Sequence, residues 1–346
     1  MFKVSGDSCV EGQTYSSMKF SHRYRNAASE FSLTPSRRTF LLVPALGLLP
    51  NPIESRVTLP PAQRPITRVL LGGDVMLARY VGALARQRAD PAWPLRNVAD
   101  LFSSADIAFV NLEAPFSDRG RKVESGMVFK AEPEMIESLR VAGIDIVSTA
   151  NNHARDCGRY GIEFTLDWLQ KNGVETVGTA PTAELAHAGT ILERNQVGFG
   201  FLAYTYDQSN GNHADQDDRV AMMDVDAMTA DVESLLKRTD LVIVSMHAGT
   251  EYQQTPNAQQ RKFARAAIDA GATVVVGHHP HVTQPVEAYA KGVIFYSLGN
   301  LAFDQFQRKE TQLGLIADLR FSGKRLAGYG VIPVEIVRTV PRIVKT

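Results

Sequence analysis

Six short apolar runs in this sequence end in Asp, Glu, Asn or His. Asp74 follows Leu70-Leu71-Gly72-Gly73, and Asn111-Leu112-Glu113 follows Phe109-Val110. The run ending at Ala150 leads into Asn151-Asn152-His153, with Asp156 soon after. His247 follows Val244-Ser245-Met246, with Gly249 and Glu251 beyond it. His278-His279-Pro280-His281 follows Val275-Val276-Gly277, and Asn300, then Asp304, follow Phe295 to Gly299. These residue types bind metals and move protons, and no thiolate stands among them. Each alone has an ordinary explanation: Asp74 as a helix cap, Asn151 and Asn152 as turn residues, His247 as a structural histidine, Glu113 as a surface carboxylate. A purely structural sheet does not require all of them at one edge. His279-Pro280-His281 is the sharpest element, because two imidazoles at i and i+2 across a stiff proline can converge on one ion or on two neighbours. Mixed carboxylate, amide and imidazole ligands favour Mn, Zn, Fe, or Mg with Mn. The candidates outnumber one tetrahedral shell, and two ions about 3.5–4 Å apart, bridged by a carboxylate, would use them.

To present these residues together, the chain must bring several strand ends to one edge. Residues 69–71, 107–110, 144–147, 197–203, 241–244, 273–276 and 293–296 read as buried strands. Helical spacing lies between them: Ile162, Leu166 and Leu169 within 159–172, Val232, Leu235 and Leu236 within 226–238, and Phe263, Ala267 and Ala270 within 258–270. Gly173 and Gly271 stop two of these helices. The alternation predicts an α/β domain with a largely buried sheet, whose ligands gather outside the carboxyl ends of the strands. Residues 313–320 and 328–337 read as two or three further strands without intervening helices, an antiparallel edge or a second sheet. No internal repeat or second boundary interrupts this stretch, which predicts one domain over 66–340.

Composition narrows the rest. Lys plus Arg total 37 and Asp plus Glu total 37, so the formal charge is zero and neither a nucleic-acid surface nor a polybasic membrane face is expected. Two cysteines, Cys9 and Cys157, cannot build a disulfide framework or a Cys-rich zinc site. Residues 1–65 read as an address. Arg37-Arg38 stands directly before Thr39-Phe40-Leu41 and an apolar run of about ten residues, too short to span a bilayer. A proline-rich linker follows, with Pro50, Pro52, Pro60, Pro61 and Pro65. This order matches a twin-arginine export signal. The mature protein is then expected to be periplasmic or extracellular, or tethered by an uncleaved signal. Residues 204–220 form a polar loop with His213, either a lid or a solvated insertion. Lys130 reads as a surface charge.

The segments Gly73-Asp74-Val75-Met76, Asn111-Leu112-Glu113, Ala150-Asn151-Asn152-His153, His247 to Tyr252, His279-Pro280-His281-Val282 and Ser297-Leu298-Gly299-Asn300 occur in this order. Together they resemble the capsule-synthesis CapA family, the poly-γ-glutamate synthesis type related to the calcineurin-like metallophosphoesterases. The resemblance covers about residues 68–305. It implies a four-layer α/β/β/α sandwich and a site holding two divalent ions, Mn, Zn or Fe. By that similarity, Asp74 would bind the first metal and Glu113 would bridge. Asn152 and His247 would bind the second, His279 and His281 would complete the pair, and His153 would be the catalytic histidine. Asp156 and Glu251 would orient His153 and His247 as hydrogen-bond acceptors. One departure is visible: Met76 stands where the broader phosphoesterases carry a histidine, and a thioether is a poor ligand for hard ions. The resemblance implies a metal-dependent hydrolase, phosphoesterase-like or amide-cleaving, with His153 protonating the leaving group. Its alternative is a non-catalytic assembly component that binds an anionic surface polymer or its precursor beside membrane synthesis proteins.

Overall fold

A computed structural model describes residues 65–120, 127–206 and 218–345, and Pro61–Thr346 form one compact unit. The twin-arginine segment, residues 1–64 of the predicted address, Cys9 and most of the 204–220 loop, including His213, lie outside the described residues.

The first sheet is built around β1 (Ile66–Val75). On one side β2 (Ile107–Leu112), β3 (Ile146–Ser148) and β4 (Glu175–Val177) follow in parallel. The second sheet has the order β5 (Thr190–Arg194), β6 (Val197–Thr205), β7 (Leu241–His247), β8 (Val274–His278), β10 (Gly292–Phe295), β9 (Val286–Tyr289), with β6, β7, β8 and β10 parallel. The short β11 (Asn300–Ala302) returns to the first sheet and pairs with the end of β1. On the other side of β1 stand β12 (Leu313–Ser322), β13 (Arg325–Val337) and β14 (Val340–Ile343), each antiparallel to its neighbour. The C-terminal run is therefore an antiparallel extension of the first sheet.

Alternation along each strand decides the layers, because successive side chains point to opposite faces. Val69, Leu71, Ile107, Phe109 and Ile146 from the first sheet share one buried cluster with Phe199, Phe201, Ile243, Val274, Val276 and Phe295 from the second. Burying a side chain such as Phe109 contributes roughly 1.5–3 kcal/mol. The opposite face of the first sheet, with Leu70, Ala108, Val110 and Val147, joins residues of helices α1 (Arg79–Gln87), α2 (Ala99–Ser103) and α3 (Ile136–Ala142). The opposite face of the second sheet, with Leu202, Val242, Val244 and Val275, joins Met228, Val232 and Leu235 of α6 (Val225–Leu236). It also joins Phe263, Ala264 and Ala267 of α7 (Ala258–Asp269).

Helix α4 (Gly158–Lys171) departs from its predicted single face. Ile162 and Leu166 contribute to the cluster between the sheets, whereas Leu169 joins the outer one. Helix α5 (Ala183–His187) is one short turn capped by the Thr182 hydroxyl. The α/β class predicted from the alternation holds. The elements that periodicity does not predict include α1, α2, α3 and α5 and the short strands β4, β5, β9 and β11. Three to five residues are too few to display a period of two. No helix among the described residues is long and apolar enough to cross a membrane.

Candidate metal centre

Strand register brings the polar run ends together. Asp74 lies opposite Asn111 on one neighbour and opposite Asn300 on the other, while His247 lies opposite His278. Close approach at this edge requires glycine. A Cβ on Gly73 would stand 2.0 Å from the Gly299 carbonyl oxygen, and Gly299 itself has φ +68. The Asp74 amide donates to that same carbonyl at 3.0 Å, which ties the end of β1 to the turn before β11.

His279 and His281 have φ 95 and 57, both in the left-handed region that non-glycine residues avoid. Holding such backbone costs on the order of 1–3 kcal/mol per residue and persists where surrounding structure enforces it. The strain aims both imidazoles into the space between the strand ends. Their ring centroids are 6.0 Å apart, and His247 lies 5.0 Å from His279.

The site is almost closed to solvent. Asp74, Glu113, His247 and His278 are fully buried, and His153, His279 and His281 are 3–5% exposed. Asp74 Oδ1 accepts from Asn111 Nδ2 at 2.8 Å, and Oδ2 accepts from the His279 amide at 3.2 Å. His278 Nδ1 approaches Oδ1 at 3.4 Å and His281 Nδ1 approaches Oδ2 at 3.6 Å. His247 is held on both sides, with Nδ1 3.2 Å from Asn111 Nδ2 and Nε2 2.9 Å from Asn152 Oδ1. His281 Nδ1 stands 3.0 Å from Asn300 Oδ1. Asn151 braces the floor, donating to the Leu112 carbonyl at 2.9 Å and accepting from the His153 amide at 3.1 Å.

Glu113 differs from Asp74, the other carboxylate of the site. Neither carboxylate oxygen has a hydrogen-bond partner, and both are buried. The imidazole nitrogens of His281, His247 and His153 lie 3.7, 3.9 and 4.0 Å from its Oε1. Burial, reinforced by Asp74, Glu251 and Asp156, pushes its carboxyl well above the usual range. Burial also pushes the His247 and His281 imidazoles down, and takes His279 down to about 3, with neighbouring histidines adding to the effect on His247 and His279. Neutral imidazoles offer the lone pairs that metal coordination needs. For Asp74, burial is the largest influence and acts upward, but His278, His281 and Asn111 together outweigh it and hold the carboxyl below its ordinary value.

Two sets of ligand atoms emerge, Glu113–His247–His279 and Asp74–Glu113–His281, each with all atoms within 4.8 Å of one another. Both contain Glu113. A buried carboxylate with no donor facing it is costly unless a cation occupies the gap, so this donor set fits a divalent ion. Asn152, the remaining predicted ligand, reaches the set that contains His247 through its contact with that imidazole.

His153 lies beside these sets. Its Nδ1 is 2.7 Å from Asp156 Oδ2, which also accepts from the Phe129 amide at 2.5 Å. The Phe129 ring stacks on the imidazole with centroids 3.8 Å apart. Asp156 is thus the acid that faces His153 Nδ1. Glu251 does not orient His247: it is exposed, and the hydrogen-bond partners of His247 are Asn111 and Asn152. Asp74 caps no helix either, because α1 starts at Arg79 with Ala78 at its cap. Met76 is fully buried in the outer cluster, with Sδ 3.2 Å from the Ala78 amide. The thioether therefore faces apolar packing. Lys130 pairs with Glu132 at 3.0 Å.

Residues that carried no assigned role from the sequence also line the site. Asn111 contacts Asp74 and His247, Asn300 contacts His281, and His278 stands beside Asp74. Tyr206, just after β6, sets its ring 4.7 Å from His279, and Phe303 sets its ring 4.7 Å from His281. Tyr206 follows the carboxyl end of β6, so the strand-end signal that flagged the others applies to it. The Phe129 contact has no such signal, since it depends on a loop folding back.

Known proteins are similar to this chain. The family described as "Bacterial capsule synthesis protein PGA_cap" matches residues 68–305. The Bacillus subtilis (strain 168) "PGA biosynthesis protein CapA" is 32% identical over 279 residues, spanning 79% of this chain and 72% of that protein. The Bacillus anthracis "Capsule biosynthesis protein CapA" is 29% identical over 280 residues, spanning 78% and 67%. A hypothetical protein from Thermus thermophilus shares the fold, with TM-score 0.51 and 18% identity over 78% of this chain and 99% of its own. The motif order read from the sequence, the strand ends that carry it and the matched span coincide, and the chain belongs to the bacterial capsule synthesis (PGA_cap, CapA-type) family.

Proposed function

We propose that this protein is an exported, metal-dependent hydrolase-like component of anionic surface-polymer synthesis, with poly-γ-glutamate or its precursor as the ligand class. The relatives' names supply the polymer context. One observation carries the metal chemistry: Glu113 is buried with both oxygens unpartnered and is common to two ligand sets. Asp74, Glu113 and His281 would hold a first divalent ion, and Glu113, Asn152, His247 and His279 a second, with Glu113 bridging. Mn, Zn or Fe suits these donors. Ions there would polarise a phosphoryl or acyl oxygen and stabilise negative charge as it develops.

The chain's own residues supply the rest. Asp156 fixes the Nδ1 side of His153 at 2.7 Å and leaves Nε2 toward Glu113, so a proton is delivered from Nε2 to the leaving group. Phe129 covers the imidazole and limits water on that face. Asn111 and His278 hold Asp74 Oδ1, which leaves Oδ2 aimed toward His281. A second reading is favoured by Met76. With its side chain in the apolar cluster, the first ion would have no imidazole from β1, and the centre would bind polymer without cleaving it.

A metal-supplemented screen of phosphoesters and γ-glutamyl amides decides between them, run on wild type, His153→Ala and His279→Ala with metal content measured in parallel. Turnover that disappears in both variants supports the hydrolase. Bound metal without turnover in wild type selects the assembly role. Activity untouched by both substitutions removes the mechanism. Export is tested by Arg37→Lys with Arg38→Lys, which should retain the protein in the cytoplasm.

A further inference from the structure

Beside the centre, Arg79 is built in a way that helix packing does not require. It opens α1 with φ 49, a left-handed conformation at a non-glycine residue. Glycine or asparagine would sit there at lower cost, so the backbone tolerates strain to place this particular side chain. Its Nη2 pairs with Asp304 Oδ1 at 3.1 Å, and the Asp304 side chain is 3% exposed. Asp304 Oδ2 in turn accepts from the Tyr80 amide at 3.1 Å, while Oδ1 faces the guanidinium as an ion pair without a hydrogen bond. Nη1 lies 3.0 Å from Met127 Sδ. The guanidinium carbon is 5.4 Å from the centroid of the Phe129 ring, the same ring that stacks on His153. Phe303, directly before Asp304, contacts both His281 and Phe129, at 4.7 and 5.9 Å. The arginine side chain keeps 31% of its surface open.

These contacts place a rigid guanidinium one aromatic ring away from His153. A guanidinium has five N–H donors, and the two contacts above use one nitrogen each, leaving donors for an incoming group. Its planar fork matches carboxylate and phosphate oxygens, and anchoring on Asp304 and Phe129 lowers the entropy lost on binding.

We propose that Arg79 is an anion-recognition residue at the mouth of the metal centre, selecting ligands that carry a second oxyanion close to the bond that reacts. This rests on the reading of the site as a metal centre for an anionic polymer. For a γ-linked glutamate chain the oxyanion is the α-carboxylate beside each backbone amide; for a phosphorylated ligand it is a neighbouring phosphate. Asp304 is a positioning residue that acts through Arg79.

The test measures binding of a γ-glutamate hexamer, and of the same hexamer with its α-carboxylates converted to methyl amides, to the metal-loaded full chain by calorimetry. Wild type should prefer the charged hexamer, and Arg79→Gln should reduce that preference roughly ten- to hundredfold. Asp304→Asn should reduce it less. Arg320→Gln, on β12 opposite Arg68 and so beside the end of β1 away from Asp74, should leave it unchanged. Metal content is measured for each variant, so loss of the centre is separated from loss of anion recognition. A preference retained in Arg79→Gln overturns the proposal. Should Arg79→Gln fail to fold or to hold metal, Arg79→Lys decides, since it keeps the charge and loses the fork: a several-fold weaker preference supports the proposal and an unchanged one overturns it. If wild type binds neither hexamer, inorganic phosphate is the second probe. Phosphate binding that depends on Arg79 keeps the anion site and removes polyglutamate as its ligand. Phosphate binding independent of Arg79, or absent, overturns it.

Discussion

Two polar clusters in this protein draw on similar side chains and resolve them differently. Around Asp231, His187 Nδ1 approaches Oδ2 at 2.7 Å and the Tyr204 hydroxyl donates to it at 2.8 Å. The Asp231 carboxylate is matched by two side-chain partners, as a structural network should be. Around Glu113, three imidazoles approach to within 3.7–4.0 Å and none makes a hydrogen bond to the carboxylate. Residue type and burial therefore do not by themselves mark a functional site. The difference is a buried carboxylate without a hydrogen-bond donor, in a set of ligand atoms that all lie within 4.8 Å of one another.

That contrast can be broken or sharpened experimentally. The largest effect is expected at His153. If the centre is catalytic, His153→Ala should lower turnover on the order of 10²–10⁴-fold while metal content stays unchanged, as metal analysis beside kinetics would show. Metal lost together with activity would make His153 a ligand and redraw the site. Next in size is ion binding itself. A divalent ion at about 100 times its Kd should stabilise the fold by about 2.7 kcal/mol, visible as a chelator-reversible rise in Tm. No shift with Mn, Zn or Fe would place the Glu113 cluster in the same structural class as the Asp231 one.

Glu113→Gln probes the difference most directly. In metal-free protein it replaces a buried unpartnered carboxyl with a neutral amide, and should stabilise by about 1–3 kcal/mol, read from denaturant midpoints. The same variant should lose the metal-induced Tm rise. A variant less stable than wild type without metal would show that Glu113 already has a satisfying environment.

The smallest effect belongs to His187. Its hydrogen bond to Asp231 raises its pKa above the ordinary histidine value of 6.5. A raised folded value means the pairing contributes fully below the unfolded pKa and fades as pH climbs through the folded one. His187→Gln should therefore lower Tm slightly at about pH 6 and less at about pH 8. The size is that of a partly exposed pair, a few tenths of a kcal/mol. An equal loss at both pH values would mean that packing against Tyr204, not charge, is what His187 supplies.

Much of the site was legible because strand ends are local features. Apolar runs such as 274–276 announce a buried strand, and the residue that follows must leave the sheet at its carboxyl edge. The strand-end pattern flagged a wider polar set, from which the family resemblance singled out Asp74, Glu113, Asn152, His247, His279 and His281; the structure buries five of these together and sets the half-buried Asn152 against His247. The roles of Asp156 and Glu251 could not be separated by sequence. Both are acids a few residues from a histidine, yet Asp156 turns inward onto His153 and Glu251 turns to solvent. The short strands β4, β5, β9 and β11 escaped for a related reason, since neighbours rather than periodicity make them strands.

The sequence by itself determined the alternating α/β pattern, the edge at which polar residues gather and the ligand types, because periodicity and residue chemistry are properties of short segments. Tertiary structure alone decided that Glu113 stands between two ligand sets with no donor of its own. It decided that Met76 turns into the apolar cluster. It also set Arg79 over the ring that covers His153. Each of these depends on where segments far apart in the chain are brought to rest, 205 residues apart in the case of Asp74 and His279. Only packing of the two sheets fixes such distances, and with them the site at which His279 and His281 meet Asp74 and Glu113.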